Sequence, residues 1–109
     1  MILDVKSNEL KFEKFLNDWI NYLKNVLGYS EHTYSSYKRD VKDFYFFCNS
    51  KNLFIFEPDK YILKNYLFEL NERQSSRATV ARRISSLKNF YKYALKEKLI
   101  KEIDLSIFK

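Results

Sequence analysis

Residues 76–96 read SRATVARRISSLKNFYKYALK. Val80, Ile84, Leu87, Tyr91, Ala94 and Leu95 recur at steps of three and four, the signature of a helix with one apolar stripe. The helix begins near Ser76, with Thr79 three residues on. Arg77, Arg82, Arg83, Lys88, Lys92 and Lys96 lie inside the stretch and Arg73 just before it, and no acid stands between Gln74 and Lys96. At about 100° per residue, with the stripe inward, Thr79, Arg82, Ser85, Ser86 and Asn89 fall on the opposite face and Arg83 on the flank. A merely solvated helix mixes Glu with Lys, because such pairs at i and i+4 support it. Here like charges repel, and serines are neutral to poor in a helix interior. A polyanion offsets the repulsion, and small hydroxyls let a helix lie close to a phosphate backbone and donate to it.

Working outward, the same periodicity predicts three more helices. The first runs from roughly Asn8 to Leu27, with Phe12, Phe15, Leu16, Trp19, Ile20, Leu23, Val26 and Leu27 on one face and Gly28 as a left-handed cap. The second begins after Ser30, an N-cap followed by Glu31 in the first turn. Its stripe is Tyr34, Tyr37, Val41, Phe44 and Cys48, and residues 49–52 end it. Residues 53–58, LFIFEP, form a linker, extended before Pro58. Asp59 caps the third helix, which carries Ile62, Leu63, Tyr66, Leu67 and Leu70. NERQSS, residues 71–76, is a loop. KLIKEIDLSIFK at the end is a fifth helical turn or the start of a linker.

The composition fits this all-α reading. The chain has 109 residues, enough for one domain with a modest core. Gly and Pro occur once each, too few for the turns of an all-β domain. Cys48 has no partner for an internal disulfide, which fits a reduced, cytoplasmic setting. No run of about 18 apolar residues exists, so no membrane span is expected. The net charge is +6, unevenly placed. Residues 73–98 hold eight basic groups and one acid, Glu97, whereas the rest of the chain holds twelve basic and thirteen acidic groups. A polyanionic partner is expected for the fourth helix.

With these residues in view, the chain resembles the N-terminal core-binding domain of tyrosine recombinases, the phage-integrase family, and its Xer-type members in particular. The resemblance is carried by Ser30, Thr33, Tyr37 and Asp40 in the second helix. In the fourth it is carried by Ser76, Thr79, Arg82, Ser85, Leu87, Lys88, Phe90, Tyr91 and Tyr93. It covers about residues 12–100. It implies a four- to five-helix, SAM-like bundle forming one half of a C-shaped clamp on double-stranded DNA, with the second and fourth helices toward the major groove. It implies other recombinase protomers as partners of the full-length protein, and a catalytic domain lying C-terminal to residues 1–109 and absent from this chain. The family often shows a Gly after the fourth helix, then Asn-Pro; KEKLIKEIDLSIFK has neither.

The candidate DNA-binding residues are His32, Thr33, Ser36 and Arg39 on the second helix, and Arg77, Thr79, Arg82, Arg83, Ser86 and Asn89 on the fourth. Arg82, Ser86 and Asn89 are expected nearest the bases, and Arg77 at phosphate. Blander roles stand beside these. Thr33 and Thr79 serve capping as readily as phosphate, Arg83 fits along the core edge with its head in water, and His32 fits a plain surface position. His32 has no second ligand at i+4, so no metal site is expected, and no cofactor motif is present. Most of the nine tyrosines fall on inward stripes, as does Cys48, while Phe46 faces outward. No acid–base pair or Gly-rich phosphate loop supports an enzyme in this chain alone. The alternative to DNA binding is a helical protein-interaction module whose basic face docks an acidic partner.

Overall fold

The computed structural model describes residues 2–101, with side chains from residue 7 onward. Its elements are α1 (Ile2–Asn25), α2 (Glu31–Ser50), α3 (Lys60–Glu72) and α4 (Arg77–Lys96). No strand occurs among the described residues, so the fold is all-α as the sequence implies. The chain forms two compact units, Met1–Lys38 and Arg39–Lys109. The expected fifth turn falls partly on residues 102–109, outside the described residues.

In the first unit, α1 starts earlier than the apolar periodicity requires. Phe12, Phe15, Leu16, Trp19 and Leu23 are buried, each contributing about 1.5–3 kcal/mol of hydrophobic stabilisation. Val26 and Leu27 leave the predicted stripe and are exposed, because the helix ends at Asn25 and they lie in the turn. The Tyr29 N–H donates to the Leu23 carbonyl at 2.9 Å to close that turn. Gly28 sits at φ +68°, the left-handed conformation where Gly escapes the Cβ penalty. Tyr37 stacks on Trp19 at 6.4 Å between centroids and meets Tyr29 edge-on at 6.1 Å.

The second unit is built around aromatics. Phe44 meets Tyr66 edge-on at 4.9 Å and Tyr91 at 6.4 Å, and Phe47 lies 5.1 Å from Tyr66, geometries that favour ring quadrupoles. Asp59 caps α3, accepting from the Tyr61 and Ile62 N–H groups, both at 2.9 Å. Ile62, Leu63, Tyr66 and Leu70 are buried, but Leu67 stands at the exposed edge. The linker is anchored rather than loose: Ile55 is buried and its carbonyl accepts from the Tyr91 hydroxyl at 2.6 Å. Cys48 is fully buried, and burial pushes its thiol up to about 12, which makes it a small hydrophobe rather than a nucleophile.

Candidate nucleic-acid interface

Ser76 caps α4, its Oγ accepting from the Thr79 N–H at 3.1 Å. The helix is turned by about 60° from the orientation its apolar stripe predicts. Ser86 is fully buried, not outward, and so are Leu87, Phe90, Tyr91 and Ala94, whereas Val80, Ile84 and Leu95 are only half-buried. Two causes combine. Phe90 is a large aromatic that belongs to the inward face. Ser86 has a partner there: its Oγ lies 2.7 Å from the Asp40 carboxylate and 2.9 Å from the Arg82 carbonyl. The expectation of Ser86 beside DNA bases is therefore corrected.

Asp40 is 1% exposed and accepts from Arg82 Nε at 3.0 Å and Nη2 at 2.8 Å. Burying a carboxylate costs free energy unless it is paired and hydrogen-bonded, and here three donor atoms surround it. The hydrogen bond to Asp40 raises the Arg82 guanidinium pKa further, against the opposing effect of burial. Arg82 keeps a half-exposed side chain. Arg83 turns the other way. Its Nη1 donates to Asp43 Oδ2 at 2.8 Å and to the Tyr66 hydroxyl at 3.0 Å. It is held inside a network rather than carrying its head in water, which corrects its placement on a DNA-facing flank. Asp43 Oδ2 also accepts from Tyr66 and, at 2.8 Å, from Arg73, whose Nε donates to Glu69 at 2.9 Å. Burial pushes the Asp43 carboxyl up, but the bonds from Tyr66 and Arg73 and the two guanidinium charges outweigh it and hold it below its ordinary value.

The acids that seemed absent from this helix thus come from α2 and α3. They neutralise Arg73, Arg82 and Arg83. The basic surface lies elsewhere. Arg77, Ala81, Ser85, Lys88, Lys92 and Lys96 recur at steps of four, four, three, four and four. They make one ridge opposite Ser86 and Phe90, exposed throughout except for a half-buried Lys88. This ridge was legible in the sequence, since it follows once Phe90 rather than Val80 centres the buried face. Asn89 is half-buried at its edge.

On α2, His32 and Arg39 are exposed. Thr33 is half-buried and its N–H donates to Ser30 Oγ at 3.3 Å, with the two hydroxyls 3.1 Å apart. Capping occupies it. Thr79 is tied to Ser76 in the same way, hydroxyl to hydroxyl at 3.0 Å. Ser36 is buried and its hydroxyl donates to the His32 carbonyl at 2.8 Å, so its predicted outward role is also corrected. Among the described residues no group of His, Cys, Asp and Glu could hold a metal ion. No helix among them is long and apolar enough to cross a membrane.

Residues 16–98 match the model of the phage integrase N-terminal SAM-like domain. The chain is similar to the tyrosine recombinase XerC of Listeria innocua, at 39% identity over 85 residues, 77% of this chain and 28% of that protein. It is 36% identical over 88 residues to XerC of Anoxybacillus flavithermus, covering 80% of this chain and 29% of the relative. XerC of Leptospira interrogans is 37% identical over 84 residues, 76% of this chain and 27% of its own length. The chain thus spans less than a third of the length of the curated relatives it matches. No solved structure matches it at a significant level.

Proposed function

Because the chain belongs to the phage integrase family as its N-terminal SAM-like domain, we propose that it binds double-stranded DNA as one arm of a site-specific tyrosine recombinase. On this reading the chemistry of strand exchange resides in a C-terminal catalytic domain, and the arm supplies grip and register. The observation that carries the proposal is the ridge of α4. It puts cations along one side of a 20-residue helix, with only Ala81 and Ser85 between them. A B-form major groove is about 12 Å wide and admits one α-helix, and small side chains let that helix sit deep while Arg77, Lys88, Lys92 and Lys96 reach the flanking phosphates. His32 and Arg39 on α2 are proposed as further backbone contacts. Association with other protomers belongs to the same proposal, and Phe46, Tyr61 and Phe68 are exposed apolar side chains available for it.

Arg82→Ala is a poor test, since it strands the buried Asp40 carboxylate and destabilises the unit as well as the surface. Replacing Lys88 and Lys92 together with Ala leaves the buried network intact. The double variant is expected to keep its helical circular dichroism and to lose about tenfold or more in affinity for a fluorescent duplex at 50 mM salt. Unchanged anisotropy curves would remove the ridge from the interface. A chain that ignores duplex DNA yet binds an acidic protein through the same lysines would favour a protein-docking module instead.

A further inference from the structure

We propose that Asp40 is a positioning residue, which sets the Arg82 guanidinium to read a guanine end-on. The inference rests on the duplex-binding reading and names what α4 would recognise. Arg82 is paired side-on: Nε and Nη2 serve the two oxygens of Asp40 at 3.0 and 2.8 Å. A guanidinium has five N–H donors, so three remain, two on Nη1 and one on Nη2. Among the described residues Nη1 has no hydrogen-bond partner. One hydrogen on each of those nitrogens points away from the carboxylate, along the guanidinium axis. Together they form the fork that matches O6 and N7 of guanine.

Three features separate this arrangement from an ordinary surface ion pair. The carboxylate is 1% exposed whereas the Arg82 side chain is 43% exposed, so the anchor is inside and the fork outside. The anchor is itself fixed, because Asp40 is 1% exposed and the fully buried Ser86 hydroxyl lies 2.7 Å from its Oδ2. Finally, the exposed neighbours of Arg82 one turn away on its own helix are Ala78 and Ser85, both small, which leaves room for a base edge to approach. The pair is nearly neutral as a whole. It therefore adds little to the attraction for phosphate but retains directional donors, a combination suited to choosing a base rather than holding a backbone.

The test uses the full 109-residue chain and a pool of duplexes with a randomised central segment, followed by sequencing of the bound fraction. Wild type is expected to enrich at least one guanine position. Placing 7-deazaguanine there, which deletes the N7 acceptor, should weaken binding by about five- to tenfold. Asp40→Asn removes the anchor and adds one positive charge. It should raise affinity for unselected duplex about twofold while erasing most of the guanine preference. Those opposite movements distinguish positioning from a structural role, which would lower both together. Arg82→Lys keeps the charge without the fork and should lose the preference alike, so the outcome does not depend on the fold tolerating Asn at position 40. Wild-type binding that is indifferent to 7-deazaguanine at every enriched position would overturn the proposal while leaving duplex binding standing. So would variants that weaken all sequences equally. Absence of any duplex binding by wild type would overturn the recombinase-arm reading, and this inference with it.

Discussion

At the scale of single residues, Asp43 and Arg83 show why two acids on α2 matter more than their number. Asp43 collects Tyr66 from α3, Arg73 from the turn after it and Arg83 from α4 on one carboxylate oxygen. Arg83 Nε is buried without a hydrogen bond, and the nearest anion, Asp40 Oδ1, is 3.9 Å away. Arg83 thus depends on Asp43 for its close anionic contact. Asp43→Asn is expected to cost about 2 kcal/mol, the scale of hydrogen bonds to charged groups, measured as a lower urea midpoint. The pH dependence has a definite sign. Asp43 titrates lower when folded than when unfolded, so its contribution is fully present above about pH 4 and is lost as pH falls through the folded value. Acid titration of stability should be shallower in Asp43→Asn than in wild type, and an identical acid limb would rule the residue out as the source. Little of this was legible in the sequence. Ser86 looks like an outward residue because hydropathy ranks it so, and its reason for turning inward, Asp40, lies more than forty positions away. The available signal was Asp40 itself, three residues after Tyr37 and four before Phe44, an acid on the buried face of α2 that required a cation.

At the scale of elements, the helices were readable because their ends are written in local chemistry. Asp59 and Ser76 cap α3 and α4 through the hydrogen bonds their side chains promise. Helix C-termini were harder, because only the first of them ends on Gly. Gln74 and Lys98 take the left-handed conformation at φ +59° each, Ser75 N–H then donating to the Leu70 carbonyl at 3.1 Å and Leu99 N–H to the Ala94 carbonyl at 3.0 Å. Lys98 holds the left-handed position after α4, so that turn is made without the Gly that favours it. A side chain in this region costs about 1–2 kcal/mol, of which part is recovered in the unfolded state when Gly replaces it. Gln74→Gly and Lys98→Gly are each expected to stabilise by about 0.5–1 kcal/mol, raising the melting temperature by about 2–6 °C. Calorimetry on the two variants checks this. A fall at either position would mean that the side chain, not the backbone, sets the turn.

At the scale of the whole molecule, the quantity that matters is how much of the charge lines the surface that a polyanion would meet. The formal surplus of +6 is all contributed by residues 73–98, but three of the eight basic groups there are held by Asp40, Asp43 and Glu69. The composition revealed the surplus, but it could not reveal that internal partners take up the arginines. Arg77, Lys88, Lys92 and Lys96 line the α4 ridge, which on the duplex-binding reading offers about four phosphate contacts. Counterion release then sets a slope of log affinity against log salt near −3 to −4, and each contact removed should lower its magnitude by about one. Anisotropy titrations between 50 and 200 mM salt measure it. Lys92→Ala should bring the slope to about −2 to −3, whereas Arg82→Lys should leave it unchanged, because the charge at position 82 is already answered by Asp40. Were the slope instead to track the full basic count, near −7, the arginines would have to leave their carboxylates on binding, and the buried network would be a resting state rather than a fixed part of the fold.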